Sequence, residues 1–138
     1  MAKQVFEFKR SEDDDEIIKV SVSAVFGASK EPGWDGSHGD QYRITVGTDQ
    51  GRMSFDYWNS YHDMQNDKSV KLENALGVFI CEALDGLEYN EDTLADEFGY
   101  SPSESRRVYR EMQRFAKAAA RLGLDESALI AIVDKLDR

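Results

Sequence analysis

Two spacings of apolar residues divide the chain. Up to about residue 58 they recur at every second position, and from about residue 71 at every third or fourth. The first spacing is that of half-buried strands and the second that of helices packed along one stripe. In the first half, Val5 and Glu7 alternate with Phe6 and Phe8 in a short edge-like segment. Residues 11–16 then read S-E-D-D-D-E, an acidic turn. Ile18, Val20, Val22, Ala24 and Phe26 follow at even spacing, separated by Lys19, Ser21 and Ser23. Five residues of the stretch 27–40 (Gly27, Pro32, Gly33, Gly36 and Gly39) break both helix and strand, so it reads as a loop around Trp34. The strand pattern resumes with Tyr42, Ile44 and Val46. It turns at Asp49-Gln50-Gly51, where Gly51 can take the positive φ of a hairpin, and returns with Met53, Phe55 and Tyr57. Trp58 is out of phase with these and belongs on the opposite sheet face. Residues 59–68 are polar and predict a loop.

The second half predicts about four helices. Leu72, Ala75, Leu76, Phe79, Ile80, Ala83, Leu84 and Leu87 make a wide apolar stripe, and Cys81 is expected on it beside Ile80 and Leu84. Asn90 is an N-cap signal for a short helix that holds Leu94 and Phe98 and stops at Gly99. Ser101-Pro102-Ser103-Glu104 combines a cap, a proline at the first helical position and a capping box. The helix it opens carries Val108, Met112, Phe115, Ala116, Ala119 and Leu122 and ends at Gly123. Asp125 caps a last helix with Leu129, Ile130, Ile132, Val133 and Leu136 inside. Strands at roughly 4–58 and helices at roughly 71–136 predict an α+β fold. It consists of an N-terminal antiparallel β-meander of three to four strands followed by a helical layer, as a single domain over residues 1–138.

Composition narrows the function classes. The chain has 138 residues, 41% of them hydrophobic, enough for a core without staples. No apolar run reaches bilayer length, and Met1-Ala2-Lys3-Gln4 leads straight into the first alternating segment. The single Cys81 cannot form an internal disulfide. These features predict a cytoplasmic protein with no membrane partner.

The net charge of −10 is unevenly spread. Residues 71–100 hold 8 acidic residues against 1 basic, and residues 101–124 hold 2 acidic against 6 basic. Glu82, Asp85, Glu88, Glu91, Asp92, Asp96 and Glu97 form the acidic block, and Glu12, Asp13, Asp14, Asp15 and Glu16 the acidic run. The basic residues Arg106, Arg107, Arg110, Arg114, Lys117 and Arg121 share the helix after Pro102. Two explanations compete. Charged faces keep a protein soluble and let adjacent helices attract; alternatively, dense carboxylates meet Arg and Lys of a partner, as phosphates do.

Catalytic chemistry finds few residues. His38 and His62 are the only histidines, both in polar stretches. The stretch from Tyr61-His62-Asp63 to Asp67 lacks a second histidine at ligand spacing and the glycine-centred pattern of a calcium loop. The glycines at 27–39 lack the lysine-serine ending and the strand–helix setting of a phosphate loop. No catalytic, cofactor-binding or metal-binding residue is therefore assigned, and an uncharacterised enzyme or metal-binding protein built around His62 is the third reading.

Residues 94–109, L-A-D-E-F-G-Y-S-P-S-E-S-R-R-V-Y, resemble the helix-turn-helix of bacterial repressors. Ala95, Gly99, the Ser-Pro-Ser opening and Arg107-Val108 sit at matching offsets, while Ser105 stands where that motif carries an aliphatic residue. The resemblance implies a DNA-binding transcriptional regulator that contacts the major groove through Arg106, Arg107 and Arg110. A wider pattern of Phe55-Asp56-Tyr57-Trp58, Glu97-Phe98-Gly99-Tyr100 and Arg121-Leu122-Gly123 is similar to small uncharacterised acidic proteins of bacteriophages and mobile elements. That resemblance implies an anti-CRISPR or anti-restriction setting. The leading expectation is an acidic inhibitor that mimics nucleic acid and occupies the basic groove of a host protein or ribonucleoprotein complex. The acidic run 12–16 and the block 82–97 would be its contacts, with Trp58 and Tyr61 as hot spots. Direct nucleic-acid binding belongs to the regulator reading alone. An open second sheet face leaves room for a homodimer.

Overall fold

A computed structural model describes residues 2–10, 13, 15–26, 41–58 and 71–136. Four strands, β1 (Ala2–Lys9), β2 (Ile17–Phe26), β3 (Gln41–Thr48) and β4 (Gly51–Trp58), form one sheet in the order β1-β2-β3-β4. Four helices follow: α1 (Leu72–Glu88), α2 (Glu91–Phe98), α3 (Pro102–Arg121) and α4 (Glu126–Leu136). The α+β order expected from the two spacings is thus the order found.

The described residues group into two compact units. One comprises Met1–Glu7 and Lys19–Leu76, the other Phe8–Ile18 and Gly77–Arg138. In the first, β2 pairs antiparallel with β3 from Ser21↔Gly47 to Phe26↔Tyr42, and β3 with β4 from Gln41↔Trp58 to Thr48↔Gly51. This register stacks Val22, Val46 and Met53 in one row and Ala24, Ile44 and Phe55 in the next, all buried. Because side chains alternate across a strand, the same register puts Ser21, Ser23, Thr45 and Ser54 on the other face. The β3–β4 hairpin closes at Asp49 and Gln50. Gly51 takes the expected positive φ, 157°, as the first residue of β4.

In the second unit, local capping chemistry sets the helix ends. Asn90 Oδ1 accepts the Thr93 N–H at 2.8 Å and opens α2, which stops at Gly99 in the left-handed region, φ 69°. Ser101 Oγ accepts the Glu104 N–H at 3.2 Å and donates to the Glu104 carboxylate at 3.0 Å. The close of α3 is a Schellman motif: Leu124 N–H bonds Ala119 C=O at 2.9 Å and Gly123 N–H bonds Ala120 C=O at 3.1 Å, with Gly123 at φ 77°. The core of this unit holds Phe79, Ile80, Leu94, Phe115, Leu129 and Ile132, and the Phe79 and Phe115 rings meet at 5.7 Å. Helices α1 and α3 cross at Gly86, whose carbonyl accepts a bond from the Gln113 amide. A Cβ at Gly86 would lie 2.4 Å from Met112 O, so only glycine permits this approach.

Four apolar assignments need correction. Leu87 (53%), Phe98 (50%) and Ile130 (44%) are exposed, and Cys81 is exposed as well. The buried stripe of α1 runs through Ala75, Leu76, Phe79, Ile80, Ala83 and Gly86. Each step along a helix turns a side chain by about 100°, so the stripe is at most two successive residues wide and the next residue turns out of it. Cys81 follows Ile80 and Leu87 follows Gly86. The single fully buried polar residue among those described is Ser105, on α3, and its hydroxyl has no hydrogen-bond partner.

Candidate functional site

The acidic block occupies α1 and α2. Glu82 and Asp85 are half-buried on α1, while Glu88, Glu91, Asp92, Asp96 and Glu97 are exposed. Burial raises the Glu82 carboxyl above its ordinary value, and the carboxylates of Asp85 and Glu111 raise it further. Burial also raises Asp85, with Glu88 adding to it. Tyr89 is pushed up chiefly by Glu88, then by desolvation, Asp85 and Glu97. Burial is the larger cause for the two carboxyls of α1, and the neighbouring like charges add to it.

The basic helix α3 belongs to the same unit, yet it leaves the block unneutralised. Among the described residues, none of the seven carboxylates from Glu82 to Glu97 is in an ion pair. The ion pair formed on α3 is internal, Arg114 to Glu111 at 3.1 Å. Arg106, Arg107 and Arg110 are exposed on the first turns of α3, directly after the Gly99 turn, and α2 packs against α3. Residues 94–109 thus run from the end of α2 through the Gly99 turn into the first turns of α3. Ser105 takes the buried position that the motif usually gives to an aliphatic side chain.

An aromatic cluster lies inside the acidic block and was not foreseen. The Tyr89 ring meets Phe98 edge-on at 5.5 Å, and Phe98 stacks on Tyr100 at 5.8 Å. The sequence signal was thin: the three rings flank the Asn90 cap and the Gly99 turn, and nothing in the spacing says that they converge.

The acidic run fares differently. Asp13, Asp15 and Glu16 are exposed, and Glu16 pairs with Arg10 at 3.6 Å. Glu12, Asp14, Tyr61, His38 and His62 lie outside the described residues, as does the side chain of Trp58. Among the described residues no group of three His, Cys, Asp or Glu side chains is placed to hold a metal, and no helix is long and apolar enough to cross a membrane. No protein-family model, curated protein or solved structure matches the chain.

Proposed function

We propose that the protein is an acidic binding protein that docks the carboxylates of α1 and α2 on a basic, nucleic-acid-binding groove of another macromolecule. The observation that carries this reading is the unpaired state of the seven carboxylates from Glu82 to Glu97, two of them half-buried. A folded chain that keeps such groups together bears their mutual repulsion. A partner's guanidinium and ammonium groups would relieve it and gain charge-assisted hydrogen bonds in return. The exposed ring of Phe98, held between Tyr89 and Tyr100, supplies apolar contact in the midst of the charge. The resemblance to phage and mobile-element proteins supports a host defence complex as the target, in the anti-CRISPR or anti-restriction manner. Inhibition would then be competitive, with carboxylates excluding DNA or RNA.

Affinity capture from a bacterial host lysate tests this reading. The expected catch is a nucleic-acid-binding protein or ribonucleoprotein, released by rising salt. It should be lost when Glu82, Asp85, Glu88, Glu91, Asp92, Asp96 and Glu97 are changed to their amides. Identical partners and salt dependence with the neutralised protein would overturn the proposal.

A second reading rests on Arg106, Arg107 and Arg110, exposed and without ion pairs among the described residues at the start of α3. Here the protein would be a DNA-binding regulator. A gel shift on the DNA upstream of its own gene, abolished by Arg107→Ala and by salt, is its required result.

A further inference from the structure

In a chain of net charge −10, the outward face of the sheet is cationic. Among the described residues of the first unit it carries Lys3, Lys19, Arg43 and Arg52 against Glu7 and Asp56. Glu7 lies 3.8 Å from Lys19, and Asp56 stands opposite Arg43 in the register. Lys3 and Arg52 are left without an ion pair among the described residues, and both line one cavity of about 560 Å³. Its remaining wall is rich in hydroxyls from Ser21, Ser23, Thr45 and Thr48, with Asp49 as its one carboxylate.

The floor is kept low by Gly47. A Cβ there would sit 3.1 Å from Ser21 Oγ and 3.3 Å from Gly51 O, so any larger residue fills the depression and presses on Ser21. Ser21 Oγ donates to the Gly47 carbonyl at 3.3 Å. Thr48 Oγ1 accepts the Gln50 N–H at 3.2 Å. Thr45 and Ser54 share a hydrogen bond of 2.8 Å in which either hydroxyl can donate.

We infer that this cavity binds a phosphate monoester carried on a polyhydroxylated body, such as a nucleotide or a sugar phosphate. Two flexible cations against a single carboxylate suit an anionic group better than a neutral ligand. The hydroxyl wall suits a sugar, and the volume falls within the range of small-molecule sites while exceeding an inorganic anion. The cavity shares no residue with the acidic block of α1 and α2, and the inference stands whether or not those carboxylates dock on a partner.

Amide shift mapping of the full chain tests the inference, with a nucleoside monophosphate, a hexose phosphate, the unphosphorylated nucleoside and inorganic phosphate added in turn at near-physiological salt. Saturable shifts at Gly47, Thr48, Gln50 and Arg52 are expected with one or both esters, and which ester binds tighter names the source. Lys3→Gln with Arg52→Gln should weaken binding at least about tenfold. Both side chains are exposed, so thermal stability should be unchanged. The inference fails if neither ester saturates these amides, if the nucleoside shifts them equally, or if the double substitution has no effect. It also fails if inorganic phosphate alone binds as tightly as the esters.

Discussion

Arg10 Nη1 lies 2.6 Å from Asp125 Oδ1 and so joins two residues 115 positions apart. The same oxygen accepts the Ala128 N–H at 3.0 Å and the Ser127 hydroxyl at 2.9 Å, which makes Asp125 the cap of α4 as well as the partner of Arg10. The Ala128 N–H bond, then Ser127, then Arg10, hold its carboxyl below the ordinary value of 3.8. Asp125→Ala should therefore destabilise the protein by about 1–2 kcal/mol in urea unfolding, mostly through the lost cap. Arg10→Ala should cost less than about 1 kcal/mol, because the carboxylate is largely solvated.

The pH dependence of this pair has a definite sign. A depressed folded value means that the stabilisation is complete above about 3.8 and is lost as pH falls through the folded value. Asp125→Ala should thus cost most at neutral pH and progressively less below pH 3.8. A cost independent of pH would show that the hydrogen bonds to the carboxylate are not what stabilises α4.

Glu82 should behave in the opposite way. Its raised folded value makes the ionised form a burden on the native state, fully present above that value and gone below the ordinary 4.5. Glu82→Gln should stabilise the isolated protein at pH 7 by up to about 1 kcal/mol, screened by its partial exposure. Thermal unfolding at pH 7 and at pH 4 should show the gain at the first and little at the second. The same substitution should weaken partner binding, so stability and affinity move apart.

Gly86→Ala tests the α1–α3 crossing. In an open helix the change would stabilise by about 1 kcal/mol. Here the added methyl meets the backbone of Met112 at 2.4 Å and Ala116 Cβ at 2.9 Å, and a net loss of about 1–3 kcal/mol is expected. Equilibrium unfolding reads the sign directly.

Ser105→Ala should stabilise the protein by about 1 kcal/mol, since it removes a buried hydroxyl without a partner and improves helix propensity. A loss on the same scale would mean that the hydroxyl is satisfied in solution, by a bound water for instance.

Much of the local structure was legible because its signals are local. Asn90, Ser101 and Asp125 each act within three residues of themselves, and each caps its helix as read from the sequence. Gly99 and Gly123 likewise take the left-handed turns that end α2 and α3. The candidate sites were less legible. The acidic block was plain as a charge run, but whether the arginines of α3 neutralise it depends on which way two helices turn their faces. The cationic sheet face was hidden for a related reason. Lys3, Lys19, Arg43 and Arg52 are scattered over 50 residues of an acidic sequence and share a face only once the strands are paired in register.

The sequence by itself determined the order of strands and helices, their caps and stops, and which face of each strand is apolar, since period and capping are properties of neighbouring residues. The tertiary structure alone decided that Leu87, Phe98 and Cys81 face solvent and that Gly86 marks a helix crossing. It also decided that Arg10 reaches Asp125 and that two lysine and arginine side chains remain over a hydroxyl-lined cavity. Burial and pairing depend on groups distant in the chain, and no spacing along one segment encodes what another segment brings to meet it.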